Sequence, residues 1–253
     1  MATATLSIDD SIREAVAQKD EAVLRQQYNE QDEFVIMPEF LPRDVLEQWE
    51  AELPAVLPQI HRNYLPGHKK GGSVPYDVLH SLAPAITDVY HSRELISFLR
   101  RIVGAEMREC PPDDPHRCAF YAYTEEGDHV GFHYDTSYYK DRRWTLLVGW
   151  KDDSSSRLVC HLHTRQSGHA VEKLELKMTP GMLVLFNGDK VYHAVTPVKA
   201  GETRYVVSMQ FVTSGEMNPF MRFISNMKDA VAYFGLRSVF QAGKRNGASK
   251  QGQ

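Results

Sequence analysis

The spacing of apolar positions divides the chain into a helical first part and a β-rich second part. Ile12, Ala15, Val16, Ala22 and Val23 recur at helical intervals. Residues 34–37 (FVIM) form a short apolar run closed by Pro38 and read as a strand. Pro42 opens a helix with Val45, Leu46, Trp49 and Leu53 on one face, and Pro54 and Pro58 predict its end. The Gly and Pro content of residues 63–76 (NYLPGHKKGGSVPY) predicts a loop. A further helix follows Ser92, with Leu95, Ile96, Leu99, Ile102 and Val103 facing one way and Gly104 as its stop. From Cys118 onward the runs are short and rich in Val, Tyr, Phe, Leu and Thr: 118–124, 143–150, 157–163, 170–176, 181–187, 190–198 and 203–213. Phe220, Ile224, Met227, Val231 and Phe234 then predict a last helix ended by Gly235. The expected fold is mainly β with flanking helices (α+β), a sandwich or barrel in one domain over 1–253. It comprises a helical part (1–110), a β core (117–213), a C-terminal helix (214–241) and a disordered tail (242–253).

Composition narrows the function classes. The 29 basic residues against 33 acidic ones leave a net charge of −4, which argues against non-specific nucleic-acid binding. No apolar run approaches the ~20 residues of a membrane helix, and the first residues lack the apolar stretch of a signal peptide. Cys110, Cys118 and Cys160 form no CxxC pair, and their odd number argues against a disulfide framework. The expected setting is the cytoplasm, with the cysteines as small buried hydrophobes.

The chemistry concentrates in residues 129–139, HVGFHYDTSYY. His133 and Asp135 are two apart, so on an extended segment they point the same way and can meet one ion. His193 lies in a second strand, KVYHAVTPV. Two His and one carboxylate make the facial triad of non-haem Fe(II) oxygenases, which leaves coordination positions open. Arg204 follows at the head of TRYVVSMQFVT. Alternation there puts Arg204, Val206, Ser208 and Gln210 on one face and Tyr205, Val207, Met209 and Phe211 on the other. A buried guanidinium calls for an anion, and a bidentate carboxylate satisfies it; a surface salt bridge is the other reading.

The order HxD, then PGMLVLFNGDKVYHAVTPV, then GETRYVVSMQF resembles the Fe(II)/2-oxoglutarate-dependent oxygenases, from about Tyr121 to Phe211. DEFVIMPEFLPRDVLEQW is similar to the strand and helix that precede the barrel in that superfamily. The resemblance implies a double-stranded β-helix, or jelly roll, that uses Fe(II), 2-oxoglutarate and O2. It implies that His133, Asp135 and His193 bind the metal and that Arg204 grips the distal carboxylate of 2-oxoglutarate. The superfamily often places Ser or Thr two residues after this Arg; here that residue is Val206, and Ser208 offers the hydroxyl instead. EEGDHVGFHYDTSYYKDRRWTLLVGW running into LVCHLHT carries a closer resemblance. It is to the radical halogenases of free amino acids and their hydroxylase relatives, the group acting on L-lysine. The halogenases replace the metal carboxylate with Gly to admit halide. Asp135 is retained here, so the implied reaction is hydroxylation, with C4 of lysine as the expected position.

For such a substrate, Glu125 and Asp128 are candidates for the ammonium, and Lys70 within KKGGS for the carboxylate. His129 is either a substrate contact or a polar strand end. Solvated turns account for the same residues without a ligand. His161 and His163 form an HxH, but Ser167 and Gly168 stand where a cupin needs Glu. A zinc site built on His161, His163 and His169 lacks known ligand spacing. A 2-oxoglutarate oxygenase acting on a peptidyl or other small-molecule substrate and a metal-binding jelly-roll interaction module are the remaining readings. The spacing says nothing about oligomeric state.

Overall fold

A computed structural model describes residues 7–114, 116–137 and 139–216. Two short helices lead, α1 (Ile8–Ala17) capped by the Ser7 hydroxyl and α2 (Glu21–Glu30) capped by the Asp20 carboxylate. Ile12 and Ala15 are buried, whereas Val23 is 58% exposed, so the apolar stripe stops at α1. Strand β1 (Phe34–Met37) and helix α3 (Arg43–Val56) follow. Pro54 lies inside α3 rather than ending it, and the chain then tightens into a 3-10 turn over Leu57–Gln59. A proline in the last turn of a helix forfeits one backbone bond without kinking a continuing segment.

The segment expected to be a loop is instead a hairpin, β2 (His61–Leu65) and β3 (Lys69–Val74). Its glycines serve close packing rather than flexibility. A Cβ on Gly72 would stand 2.4 Å from the Ile60 side chain. Helices α4 (Tyr76–Leu82) and α5 (Pro84–His91), absent from the sequence reading, precede α6 (Arg93–Val103). Ser92 caps α6, and Gly104 ends it in the left-handed region at φ 63°.

The β core comprises β4 (Arg108–Glu109), β5 (Cys118–Tyr123), β6 (His129–His133), β7 (Arg143–Asp153), β8 (Leu158–Leu162), β9 (Glu172–Leu176), β10 (Leu183–Asn187), β11 (Tyr192–Val195) and β12 (Thr203–Val212). Its order is β1-β10-β7-β12-β5-β3-β6-β11-β8-β9, antiparallel throughout, with β2 on β3 and β4 on β12. The sheet curls into a jelly roll. Leu158, Cys160 and Leu162 of β8 thereby share a cluster with Phe186 of β10 and Val206 of β12. The larger core lies outside the curl. There Tyr205, Val207, Met209 and Phe211 of β12 pack with Trp49, Phe98 and Leu99 from the helices. No helix among the described residues is long and apolar enough to cross a membrane. The expected C-terminal helix, apart from its first residues, and the expected tail lie outside the described residues.

Candidate active site

Strands β6 and β11 pair so that His133 and His193 face each other directly, with ring centroids 4.3 Å apart. Asp135, two residues past His133, closes the group; His133 Nε2 lies 3.3 Å from its Oδ1 and His193 Nε2 3.9 Å from its Oδ2. The Nδ1 of His133 is 2.9 Å from the Gly131 carbonyl, and that of His193 is 3.1 Å from the Val191 carbonyl. A carbonyl only accepts, so each Nδ1 carries its proton and each Nε2 faces inward. Burial works against the His133 charge, but its hydrogen bond to Asp135 raises the imidazole above its ordinary value. Burial pushes the His193 imidazole down to about 4, against the pull of Asp135, so it is neutral at pH 7. Burial alone would raise the Asp135 carboxyl, but His193, His133 and the Thr145 hydroxyl hold it well below the carboxylate range. Two imidazole Nε2 atoms and a carboxylate oxygen converge within 4.8 Å, a set of ligand atoms of the kind that holds a metal. That set fits a divalent metal such as Fe(II). Among the described residues it is the one His/Cys/Asp/Glu group with ligand spacing, so His161, His163 and His169 form none.

Neighbouring residues hold Asp135 in place. Thr145 Oγ1 on β7 donates to its Oδ2 at 2.6 Å. Gly188 passes so close that a Cβ there would stand 2.4 Å from the Asp135 carbonyl oxygen. Tyr134 donates to Thr164, and the Arg165 guanidinium covers its ring. These contacts depend on how the chain folds back after Asp135 and on the passage of Gly188, which no local spacing discloses, and that is why sequence reasoning missed Thr145 and Gly188.

The triad lines a cavity of about 340 Å3 together with Arg204, Val206, Ser208 and Gln210, the polar-bearing face expected for β12. Arg204 is 1% exposed. Its Nη1 donates to Ser156 Oγ at 3.1 Å, while its Nε has no partner among the described residues. A buried guanidinium left incomplete in this way fits the distal carboxylate of 2-oxoglutarate. Ser208 Oγ also lines the cavity and accepts from Gln210 Nε2.

Strand alternation turns Lys69, not Lys70, into the cavity. Burial pushes the Lys69 ammonium down to about 7, and it sits over the Tyr121 ring. Glu125, Asp128, His129 and Lys70, the expected substrate contacts, do not line the cavity. They close the turn between β5 and β6 on itself. Asp128 accepts two bonds from Arg62, at 2.9 Å and 2.5 Å, and others from the Thr124 and Glu125 amides. Glu125 pairs with Arg62, Lys70 donates to the Glu126 carbonyl, and His129 Nδ1 bonds the Gly127 carbonyl. Arg143, which the sequence reading did not single out, lines the cavity instead. Alternation with Leu147 along RWTLLVGW was the available signal.

Known proteins share this fold. The pattern of the 2OG-Fe(II) oxygenase superfamily matches residues 118–211, a span that contains the triad and Arg204, and that of Halogenase D matches residues 16–140. No curated protein sequence matches the chain. The SnoN epimerase of nogalamycin biosynthesis is similar in structure, at 13% identity, 76% of this chain, 84% of that one and a TM-score of 0.61. A prolyl hydroxylase from Trichoplax adhaerens gives 15% identity, 85% and 95% coverage and a TM-score of 0.61. A Pseudomonas putida prolyl-4-hydroxylase gives 16% identity, 76% and 97% coverage and a TM-score of 0.52. At these identities the structures establish the jelly-roll fold. The superfamily match over the core, joined to a His-Asp-His site that suits Fe(II), supports an oxygenase that uses Fe(II), 2-oxoglutarate and O2.

Proposed function

We propose that the protein hydroxylates a free amino acid, L-lysine at C4, and couples this to conversion of 2-oxoglutarate to succinate and CO2. The observation that carries the reading is the cavity. About 340 Å3 is near the small end of ligand sites, and it takes in both the triad and Arg204. Space shared with 2-oxoglutarate favours a substrate of amino-acid size over a peptide. The match to Halogenase D supports a place beside the amino-acid halogenases, and Asp135 supports hydroxylation over halogenation.

His133, Asp135 and His193 hold the metal, and Thr145 fixes the orientation of the carboxylate. Arg204 and Ser208 orient the cosubstrate. When bound, Fe(II) with 2-oxoglutarate and O2 supplies the oxidising power to hydroxylate an unactivated C–H bond. The apolar lining from Leu147, Leu158, Val195 and Val206 keeps water from that bond. Glu125, Asp128, His129 and Lys70 position the β5–β6 turn. The buried thiols of Cys110, Cys118 and Cys160 suit a cytoplasmic setting.

The test is mass spectrometry of the free amino acids after incubation with enzyme, Fe(II), 2-oxoglutarate and air. Gain of one oxygen on lysine with matching succinate is the expected result. Succinate without any oxidised amino acid overturns the substrate assignment and directs the assay to peptides.

A further inference from the structure

The β7–β12 ladder has a guanidinium at each end. Arg204 stands opposite Asp152, and Arg143 stands opposite Val212. Both side chains line the one cavity, and Thr145, which bonds the metal carboxylate Asp135, is two residues from Arg143. Along β7, Thr145, the contact to the Asp135 ligand, therefore lies between Arg143 and Asp152, the strand partner of Arg204, and Arg204 already has its anion in the cosubstrate.

Arg143 is nine-tenths buried. Its Nε donates to Gln210 Oε1 at 3.0 Å. Among the described residues, no acceptor meets its terminal nitrogens and no carboxylate oxygen lies within 4 Å of them. A desolvated cation in that condition calls for an anion. Burial works against its charge, but Asp114 and Asp135 keep the guanidinium protonated. Asp114 lines the same cavity, its carboxylate held by the Tyr139 hydroxyl and the His116 amide.

We propose that Arg143 binds the carboxylate of the substrate, on the far side of the metal from Arg204, with Asp114 beside it to face the substrate's ammonium. This specificity role rests on the amino-acid reading above. The guanidinium offers two parallel N–H donors to a carboxylate, which fixes the rest of the molecule relative to the metal.

The experiment measures binding to protein loaded anaerobically with Fe(II) and 2-oxoglutarate. The probes are the free L-amino acids, their carboxamides and simple monocarboxylates. Wild type, Arg143→Gln and Arg143→Lys are compared. In wild type an amino acid binds, and its carboxamide binds at least ~30-fold more weakly, the scale of losing one partner of a buried charge pair. In Arg143→Gln the acid weakens by that factor, the carboxamide is unchanged, and the preference disappears. Arg143→Lys restores part of it, while binding of Fe(II) and 2-oxoglutarate stays within about twofold of wild type. An Arg143→Gln protein that still prefers acid over carboxamide overturns the proposal. So do parallel losses of metal, cosubstrate and amino acid, which would make Arg143 a support for Gln210. If Arg143→Gln does not fold, the acid-to-carboxamide ratio in wild type and Arg143→Lys decides. If monocarboxylates bind through Arg143 but no amino acid does, the amino-acid reading fails and the anion site stands. If no carboxylate binds wild type, both fail.

Discussion

The two ends of strand β6 carry polar clusters of opposite kinds. At its start, His129 and the preceding turn are satisfied within the fold. Asp128 takes four donors, Arg62 spans Asp128 and Glu125, and His129 bonds a neighbouring carbonyl. At its end, His133 joins Asp135 and His193 in a set of inward-facing metal-ligand atoms. Both clusters are rich in histidine and acid, so composition does not distinguish them. The distinction is whether the protein completes its own polar groups. A completed cluster stabilises a turn, and an incomplete one waits for a ligand.

The largest effect is expected at the incomplete end. His133→Ala should weaken Fe(II) binding and turnover by more than ~100-fold, beyond what loss of a supporting residue does. Anaerobic titration followed by the metal-to-2-oxoglutarate charge-transfer band measures it, and wild-type metal affinity would place the metal elsewhere. Arg204→Gln comes next. It should raise the KM for 2-oxoglutarate by ~30-fold or more and leave metal affinity nearly unchanged. Equal increases in KM for 2-oxoglutarate and for the amino acid would remove Arg204 from its assignment.

Thr145→Val removes the hydroxyl that orients Asp135. A loss of about tenfold in metal affinity is expected, with melting temperature little changed. A metal affinity equal to wild type would show that Asp135 holds its orientation without help. The smallest functional effect belongs to the completed cluster. Asp128→Asn should leave metal affinity unchanged and cost about 1–3 kcal/mol of stability at pH 7. Burial alone would raise the Asp128 carboxyl, but the bonds from Arg62 and the Glu125 and Thr124 amides outweigh it and hold it below its ordinary value. A depressed folded value means stability that is present above an unfolded pKa of about 3.9 and lost as pH falls through the folded one. The gap in melting temperature between wild type and Asp128→Asn should therefore shrink on acidification below about pH 4. A gap independent of pH would show that the Asp128 charge contributes nothing.

Elements with strong periodicity were legible in the sequence. The alternation in residues 203–213 anticipates the two faces of β12, and the stripe after Ser92 anticipates α6 with its Gly104 stop. The HxD spacing and the distal histidine point to a triad because side-chain direction repeats every two residues on a strand. Pairing was not legible. Gly71 and Gly72 read as breakers, yet they let β3 pack against Ile60 and Ala122. Without the register of β3, nothing decides whether Lys69 or Lys70 faces inward. Thr145, Gly188 and Arg143 meet the site only through the β10–β7 and β7–β12 ladders, and a single sequence does not disclose those partnerships.

Strand β12 has a practical consequence for anyone wishing to retune the enzyme. Its odd-numbered positions, Tyr205, Val207, Met209 and Phe211, anchor the helices. Its even-numbered ones, Arg204, Val206, Ser208 and Gln210, border the cavity. Foldability and selectivity are thereby written on alternate letters of one ten-residue word. A combinatorial library restricted to Ser208 and Gln210 varies the cavity face while leaving the helix-anchoring letters untouched, so its inactive members are informative about recognition of cosubstrate and substrate rather than about collapse.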